Sequence, residues 1–473
     1  MKFRNIKGFF PIVYFFFIIV NVGCTKDFLN RNPESNMSTG NFYKSKEDFV
    51  LALNAAYSQL YTIYDPLSAM SFCGEQMSDN ATIYNIAGNQ SEQTAFKDYS
   101  LMANNSVVYR FWQEAYKAIF QTNIVISNIQ AADLDESFKM QAESEMKFLR
   151  ALFYFNTVRM FGGVPLVTTP VTELESYGYG RASEEDVYKQ IVSDLVFAEE
   201  NIQEDAPAVG RATKGAVDAL LGKVYLTLGD KQNATTYLMR IYNTYSLLSN
   251  YKSLWDVSYK NSSESIFEIQ YLGGASVPSS RYWPIFAPFE NLTIVANGGG
   301  MNQVTETLWN EFEPNDVRKD ASIFQGYTNR VGKFIEIKFP KKWVDSTAQV
   351  INEEEACSNN FIVLRYADVL LMLAESTGDA KYLNEVRARV SLPLYGSASY
   401  PSQKYGTLEL AIEHERRVEL ALEFHRWFDL KRTGRAIAVL QANGKNVTND
   451  KLLLPIPQVV VDQNSIITQN PGY

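Results

Sequence analysis

The chain has only three cysteines and two histidines in 473 residues. So few thiols exclude a disulfide-built or cysteine-zinc scaffold, and Cys24 apart, the widely separated Cys73 and Cys357 leave room for one disulfide at most. His414 and His425 are eleven positions apart. On one continuous helix that is about 16 Å at about 1.5 Å per residue, too far to share a metal ion. No Ser/His/Asp set can be argued from two histidines. Gly298-Gly299-Gly300 lacks the Lys-Ser/Thr that completes a phosphate loop. Positive charge is scarce too. A net charge of -9 excludes the basic face that nucleic-acid phosphates require, so no nucleic-acid partner is expected. No metal or organic cofactor is expected. A loop Ca²⁺ stays open with no D-x-[DN]-x-[DN]-G series to support it.

The one long apolar run is at the start. Lys2, Arg4 and Lys7 precede Phe9 to Val20, and Val22-Gly23 lead to Cys24, the three-part layout of a secretory signal over residues 1–23. The run contains Pro11 and Asn21 and falls short of the ~20 residues that cross the hydrocarbon of a bilayer, which disfavours an uncleaved span. Cleavage before Cys24 would expose a thiol for lipidation. More than one acyl chain there would hold the protein firmly, whereas a single chain holds only marginally. No later run approaches spanning length, so the body is expected to be soluble.

Aromatic residues are abundant: 28 Tyr, 29 Phe and 6 Trp, 13% of the chain. Most must be core, because large rings gain most from burial, but enough remain to stack on flat apolar surfaces such as sugar faces.

Residues 24–41 are polar and read as a tether. From 42 to 250 helical patterns dominate. Ser45 caps a helix carrying Phe49, Leu53, Ala56 and Leu60 on one face. Ser183 caps another that opens with Glu184, Glu185 and Asp186. Gly162-Gly163 and Gly229 act as stops. Leu221, Gly222, Tyr225 and Ala234 follow tetratricopeptide spacing, in which small residues let paired helices approach. Between Ser68 and Ser100 the periodicity fades into a long polar stretch, expected to be an open loop and a binding surface. Residues 251–360 read as an irregular portion of short strands between Gly and Pro punctuation. Residues 361–473 return to helices: FIVLRYADVLLMLAESTG is expected as one helix, and the run from Gly406 to Leu440 as a long helix that breaks near Phe428. The turn-rich tail should lie back over the body. Trp112, Trp309 and Trp427 are expected in the core. The fold class is therefore mostly α, a scaffold of tetratricopeptide-like helical pairs with an irregular, short-strand-rich middle.

The segments KFLRALFYFNTVRMFGGVPLV, RATKGAVDALLGKVYLTLGD, VLRYADVLLMLAES, LNEVRARVSLP, ERRVELALEFHRWFDLKRTG and LLLPIPQVVVDQNSIITQNPGY, in this order, resemble the hallmark segments of the SusD/RagB family. CTKDFLNRNPES resembles its mature N-terminus. The resemblance implies a lipoprotein of the Bacteroidetes outer membrane, anchored through Cys24 and facing outward, a direction that Lys26 and Asp27 are similar to signals for. It implies an oligosaccharide ligand, bound without cleavage, and a SusC-like TonB-dependent transporter as partner.

A sugar site needs an aromatic platform flanked by amides, carboxylates or arginine. Two loop clusters carry that mixture: Asp79, Asn80, Tyr84 and Asn85, and Arg281, Tyr282, Trp283 and Phe286. The family binds ligand through comparable loops, so these are candidates by region. Trp283 as loop packing, and Asp79 and Asn80 as turn caps, are the structural alternatives. No catalytic residue is expected. Glu415, Glu419 and Glu423 share a helix face at four-residue spacing, but Arg365, Arg416, Arg417, Arg426 and Arg432 beside Glu375 and Asp429 should clamp them as ionised pairs, leaving no raised-pKa acid. Other readings stay open: a receptor for peptide or another nutrient, a surface glycoside hydrolase with two unclamped carboxylates, or a helical adaptor with no concave aromatic surface.

Overall fold

The computed structural model describes residues 42–83, 90–289, 294–351 and 354–473. The expected signal segment, the tether, Cys24, Tyr84 and Asn85 lie outside them.

Helix α1 (Lys46–Ile63) starts where Ser45 and Asp48 form a capping box: the Ser45 hydroxyl accepts the Asp48 N–H at 3.2 Å, and the Asp48 carboxylate accepts the Ser45 N–H at 2.9 Å. Then come α2 (Ser106–Ile129), capped by Asn105, and α3 (Glu136–Phe161), capped by Asp135. Helix α3 is buried nearly all round, as a helix at the centre of a stack must be. It stops at Gly162, whose φ of 73° suits only glycine. Helices α4 (Glu184–Asn201, capped by Ser183), α5 (Lys214–Thr227) and α6 (Lys231–Ile241) continue the series.

Each helix packs on the next from α1 to α6. Helix α6 then packs on α7 (Tyr366–Thr377), and α7 on α8 (Ala380–Arg389). The series is thus a stack of helical pairs with the middle portion inserted between two of its consecutive members. The tetratricopeptide spacing has a direct cause: a Cβ on Gly222 would fall 2.4 Å from the Leu238 side chain, Ala234 is fully buried, and Tyr225 stacks on Tyr237 at 5.6 Å.

The insert holds short antiparallel pairs. Strand β1 (Ser265–Ile269) pairs with β6 (Phe361–Arg365), β2 (Ile323–Thr328) with β3 (Phe334–Pro340), and β4 (Gln349–Ile351) with β5 (Glu354–Ala356). A two-residue bridge joins Ala81–Thr82 to Gln303–Val304.

Three expectations need correction. The FIVLR segment is strand β6 rather than the start of a helix; its apolar run is buried on both faces against β1, and α7 begins only at Tyr366. The final helical run breaks before Phe428: α9 (Leu408–Glu419) ends, Leu422 and Phe424 adopt φ of 68° and 67°, and α10 (Arg426–Arg432) begins. Such left-handed residues cost of order 1–3 kcal/mol each. Here the turn places the Phe424 N–H on Glu75 at 2.7 Å and its ring among the core aromatics. The described part of the stretch from Ser68 to Ser100 is not an open loop. Ala69–Ser71 is a helical turn, Phe72–Gln76 a π-turn, and Ser68 through Ala81 is continuously buried, with Ser91–Asp98 helical beyond. Trp112 and Trp427 are core as expected, while Trp309 is half-buried under Lys319. Cys73 and Cys357 are both buried and free.

Candidate functional site

The described residues of the two predicted loop clusters are mostly core. Tyr282 is fully buried, its ring stacked on Trp343 at 4.8 Å and Phe361 at 5.2 Å, and its hydroxyl donates to the Tyr64 carbonyl. Trp283 is 4% exposed and lies over Phe339. Phe286 packs edge-on against Phe424. None of these rings offers a face to a ligand, because strands β3 and β6 supply an aromatic cluster that buries them. Arg281 differs. Its side chain is 41% exposed, and its guanidinium lies 3.3 Å from Glu354 and 3.9 Å from Asp65.

Asp79 and Asn80 are also corrected, since each is 1% exposed. Asp79 accepts from Arg426 Nε at 2.8 Å and meets Arg417 Nη2 at 3.1 Å. Asn80 accepts from Arg417 Nε at 3.0 Å and donates to Glu75 at 3.3 Å. Burial alone would raise the Asp79 pKa; the guanidiniums of Arg426 and Arg417 reverse this and hold it below the ordinary carboxylate value. Both side chains bolt the segment after the π-turn to α9 and α10.

The carboxylates on α9 and beyond are clamped as expected. Arg318, fully buried, donates to Glu419 at 2.9 Å and pairs with Glu415 and Asp316. Arg365 spans Glu264, Glu419 and Glu423; Arg387 joins Glu313 to Glu415; Lys342 meets Glu423 at 2.7 Å. Arg416 and Arg432 share Asp429, and Arg432 also holds Glu375. Burial would raise the Glu419 pKa, but Arg389, Arg365 and Arg318 carry it well below the usual range. Glu423 is lowered in the same way by Arg365 and Lys342 against burial. Three carboxylic acids move upward among the described residues: burial raises Asp65, and two others move further. Burial lifts Glu75 to about 8, and burial with the nearby Glu199 carboxylate lifts Asp218 to about 7. Glu75 is sealed in the core with both oxygens accepting hydrogen bonds, so it is out of reach of any substrate.

Among the described residues, Glu313, His414 and Glu415 come close enough to hold a metal. That place is already taken by cations: Arg387 bonds both glutamates and Arg318 bonds Glu415. His414 lies between Glu311 at 2.7 Å and Glu313 at 3.1 Å and stacks on Tyr405.

Among the described residues, three sizeable cavities matter for ligand binding. A cleft of about 340 Å³ is lined by Lys404, His414, Arg417, Arg426 and Arg435 against Asp79, Glu311 and Glu413, and a neighbour of about 290 Å³ by Arg416, Arg432 and Glu375. The third, about 270 Å³, lies between α2, the chain around Pro165 to Tyr179, and helix α11 (Gln458–Gln463) of the tail. Its rings are Trp112, Tyr116, Phe120, Tyr177 and Tyr179. The first three recur every fourth residue, one face of a helix. That spacing was a signal for the pocket, although it reads equally as a core stripe.

A family model described as SusD family matches residues 289–473, and one described as starch-binding associating with outer membrane matches residues 27–226. The chain is 26% identical to a SusD-like protein of Formosa agariphila, across 98% of this chain and 99% of the relative. It is 25% identical to a SusD-like protein of Bacteroides ovatus, across 86% of this chain and 79% of that one. Of solved structures, a laminarin binding SusD-like protein superposes with a TM-score of 0.79 at 29% identity, over 91% of this chain and all of that one. A SusD superfamily protein from Parabacteroides distasonis superposes with the same TM-score at 26% identity and the same coverage.

Proposed function

The chain belongs to the SusD family, a family of binding proteins rather than enzymes, and on that premise we propose that it is a lipid-anchored surface protein that captures an oligosaccharide. It hands this cargo to a SusC-like TonB-dependent transporter in the outer membrane. The observation that carries the reading is full-length likeness, in sequence and fold together, to a laminarin binding relative. The charge network supports it from the other side. A glycosidase needs two reachable carboxylates about 5 to 9.5 Å apart, one with a raised pKa, and here Glu415 and Glu419 of α9 are locked in arginine pairs.

Cys24 is the proposed lipid site, and the outer face the proposed location. With the rings of the second cluster buried, the loop site is proposed around Arg281, together with Tyr84 and Asn85. A half-exposed arginine side chain supplies several donors to sugar hydroxyls or acidic substituents. Weak to moderate affinity is expected, because the cargo must be released.

The test is calorimetric titration of the mature chain, residues 24–473, with laminarin and a panel of other glycans, alongside chromatography of each mixture. Binding without shortening of the glycan, weakened in Arg281→Ala, is the expected result. Release of reducing ends by the pure protein, or no binding across the panel, would overturn the reading.

A further inference from the structure

The pocket between α2 and the tail belongs to neither loop cluster, and its chemistry is unlike the rest of the surface. Charged residues make up 21% of the chain, and both other large cavities are dense with them. This one is lined by none. Of its lining residues Trp112 and Ile119 are buried, while Phe120 and Tyr177 are 37% and 41% exposed.

Its walls are held in place by hydrogen bonds. Tyr116 donates to the Pro165 carbonyl at 2.8 Å, Asn123 to that of Val167 at 3.0 Å, and Asn464 to that of Tyr179 at 3.1 Å. The shape is therefore set before any ligand arrives, which lowers the cost of binding. Other polar groups are left over. The hydroxyls of Tyr177 and Tyr179 and the amide of Gln463 make no hydrogen bond among the described residues.

We infer that this pocket is a second saccharide site, taking one neutral pyranose unit at a chain end or side branch of the captured glycan. An uncharged ligand with an apolar ring face and a rim of hydroxyls matches each property of the lining: ring faces for contact, spare hydroxyls and an amide for orientation, and no charge to compensate. An acyl chain would gain nothing from the two hydroxyls and the amide, and a uronate or sulfated sugar would find no cation among the lining residues. A volume of about 270 Å³, at the low end for ligand pockets, suits a terminal unit rather than a long stretch of polymer. The inference rests on the glycan-binding reading above and adds a site about which that reading is silent.

The experiment compares the mature chain with Arg281→Ala and with the double variant Phe120→Ala/Tyr177→Ala. All are titrated with laminarihexaose, cellohexaose, xylohexaose and mannohexaose, with an oligogalacturonate as the acidic arm. Phe120 and Tyr177 stand at the surface, so an unchanged melting temperature checks that the double variant folds. The expected result is at least a tenfold loss of affinity for one or more neutral oligosaccharides in the double variant, with that component kept in Arg281→Ala and absent for the oligogalacturonate. Unchanged glycan binding in the double variant, together with loss in Arg281→Ala, overturns the second site and leaves the proposed function standing. So does loss of transporter co-purification with glycan binding intact, which would mark the pocket as a protein contact. Failure of the wild type to bind any arm overturns both.

Discussion

Arg365 holds Glu419 twice: its Nη1 donates to the carboxylate at 2.6 Å and its Nη2 to the main-chain carbonyl at 2.7 Å. Arg365 ends strand β6 and Glu419 ends helix α9, so one side chain fixes the insert to the C-terminal helices and satisfies a carbonyl orphaned at a helix terminus.

Removing Arg365 leaves Glu264, Glu419 and Glu423 short of a cation in the interior. Breaking one side of a buried ion pair typically costs about 3–5 kcal/mol. Arg365→Ala should lower the urea midpoint by a corresponding amount, and Arg365→Lys, with one charge and no fork, should recover only part of it. A midpoint near wild type in Arg365→Ala would show that the network contributes little.

Trp283 should behave as core. Truncating a buried tryptophan costs about 3–5 kcal/mol, so Trp283→Ala should unfold at markedly lower denaturant. Arg281→Ala, its half-exposed neighbour, should keep wild-type stability within about 0.5 kcal/mol. Equal midpoints for Trp283→Ala and wild type would return Trp283 to the surface.

His414 ties stability to pH. Burial would depress its pKa, but Glu311 and Glu313 outweigh this and raise it above 6.5. A raised folded-state pKa gives stability that is complete below the unfolded value of about 6.5 and is lost as pH climbs through the folded one. Glu311 and Glu313 are resisted by burial yet lowered to about 2 by His414 and nearby arginines. Their share is present above about 4.5 and lost as pH falls toward about 2. Glu75, raised by burial, adds its own loss between about 4.5 and about 8. The His414 share is therefore read as a difference: His414→Gln should lose less stability than wild type on going from pH 6 to pH 9. Parallel curves for the two proteins would remove His414 from the account.

Two glycines separate hard from soft crowding. A Cβ on Gly74 would lie 2.5 Å from Phe424 Cα, main chain that cannot turn aside, whereas the same atom on Gly222 would meet the Leu238 side chain. Overpacking costs about 1–3 kcal/mol. Gly222→Ala should fall at the lower end, since alanine also favours the helix by up to about 1 kcal/mol; Gly74→Ala should reach or exceed the upper end. The opposite order in thermal melts would mean that the turn around Phe424 yields more easily than the helix pair.

Cys73 and Cys357 are buried thiols whose pKa burial pushes well above the ordinary value. With Cys24 replaced by Ser, the native protein should take up no maleimide within minutes, and two equivalents in urea. Rapid native labelling would contradict their burial.

The helical stack was legible because its signals are local. Ser45 and Ser183 each cap a helix through a backbone N–H three residues away, and Gly162 and Gly229 stop the helices that run into them. Leu221 and Gly222 announced a close pair. The candidate site was less legible, because its residues answer to distant partners. Asp79 and Asn80 look like surface until Arg417 and Arg426, more than three hundred residues on, are brought against them. Tyr282 and Trp283 sit between Pro and Gly punctuation like an exposed loop, yet Trp343, Phe361 and Phe339 close over them. The ring-lined pocket closes where the tail comes back over α2, and the shared helix face of Trp112, Tyr116 and Phe120 does not by itself separate a pocket from a core stripe.

Helices α6 and α7 pack on each other although the whole insert is threaded between them. The stack therefore does not depend on the insert to bring its own halves together, so changes within the insert need not disturb the packing of α6 on α7. That freedom has a boundary at the residues that plug into the charge lattice of the C-terminal helices, Glu264, Glu311, Glu313, Arg318, Lys342 and Arg365 among them. A graft that swaps this module between relatives would have to carry those sockets with it.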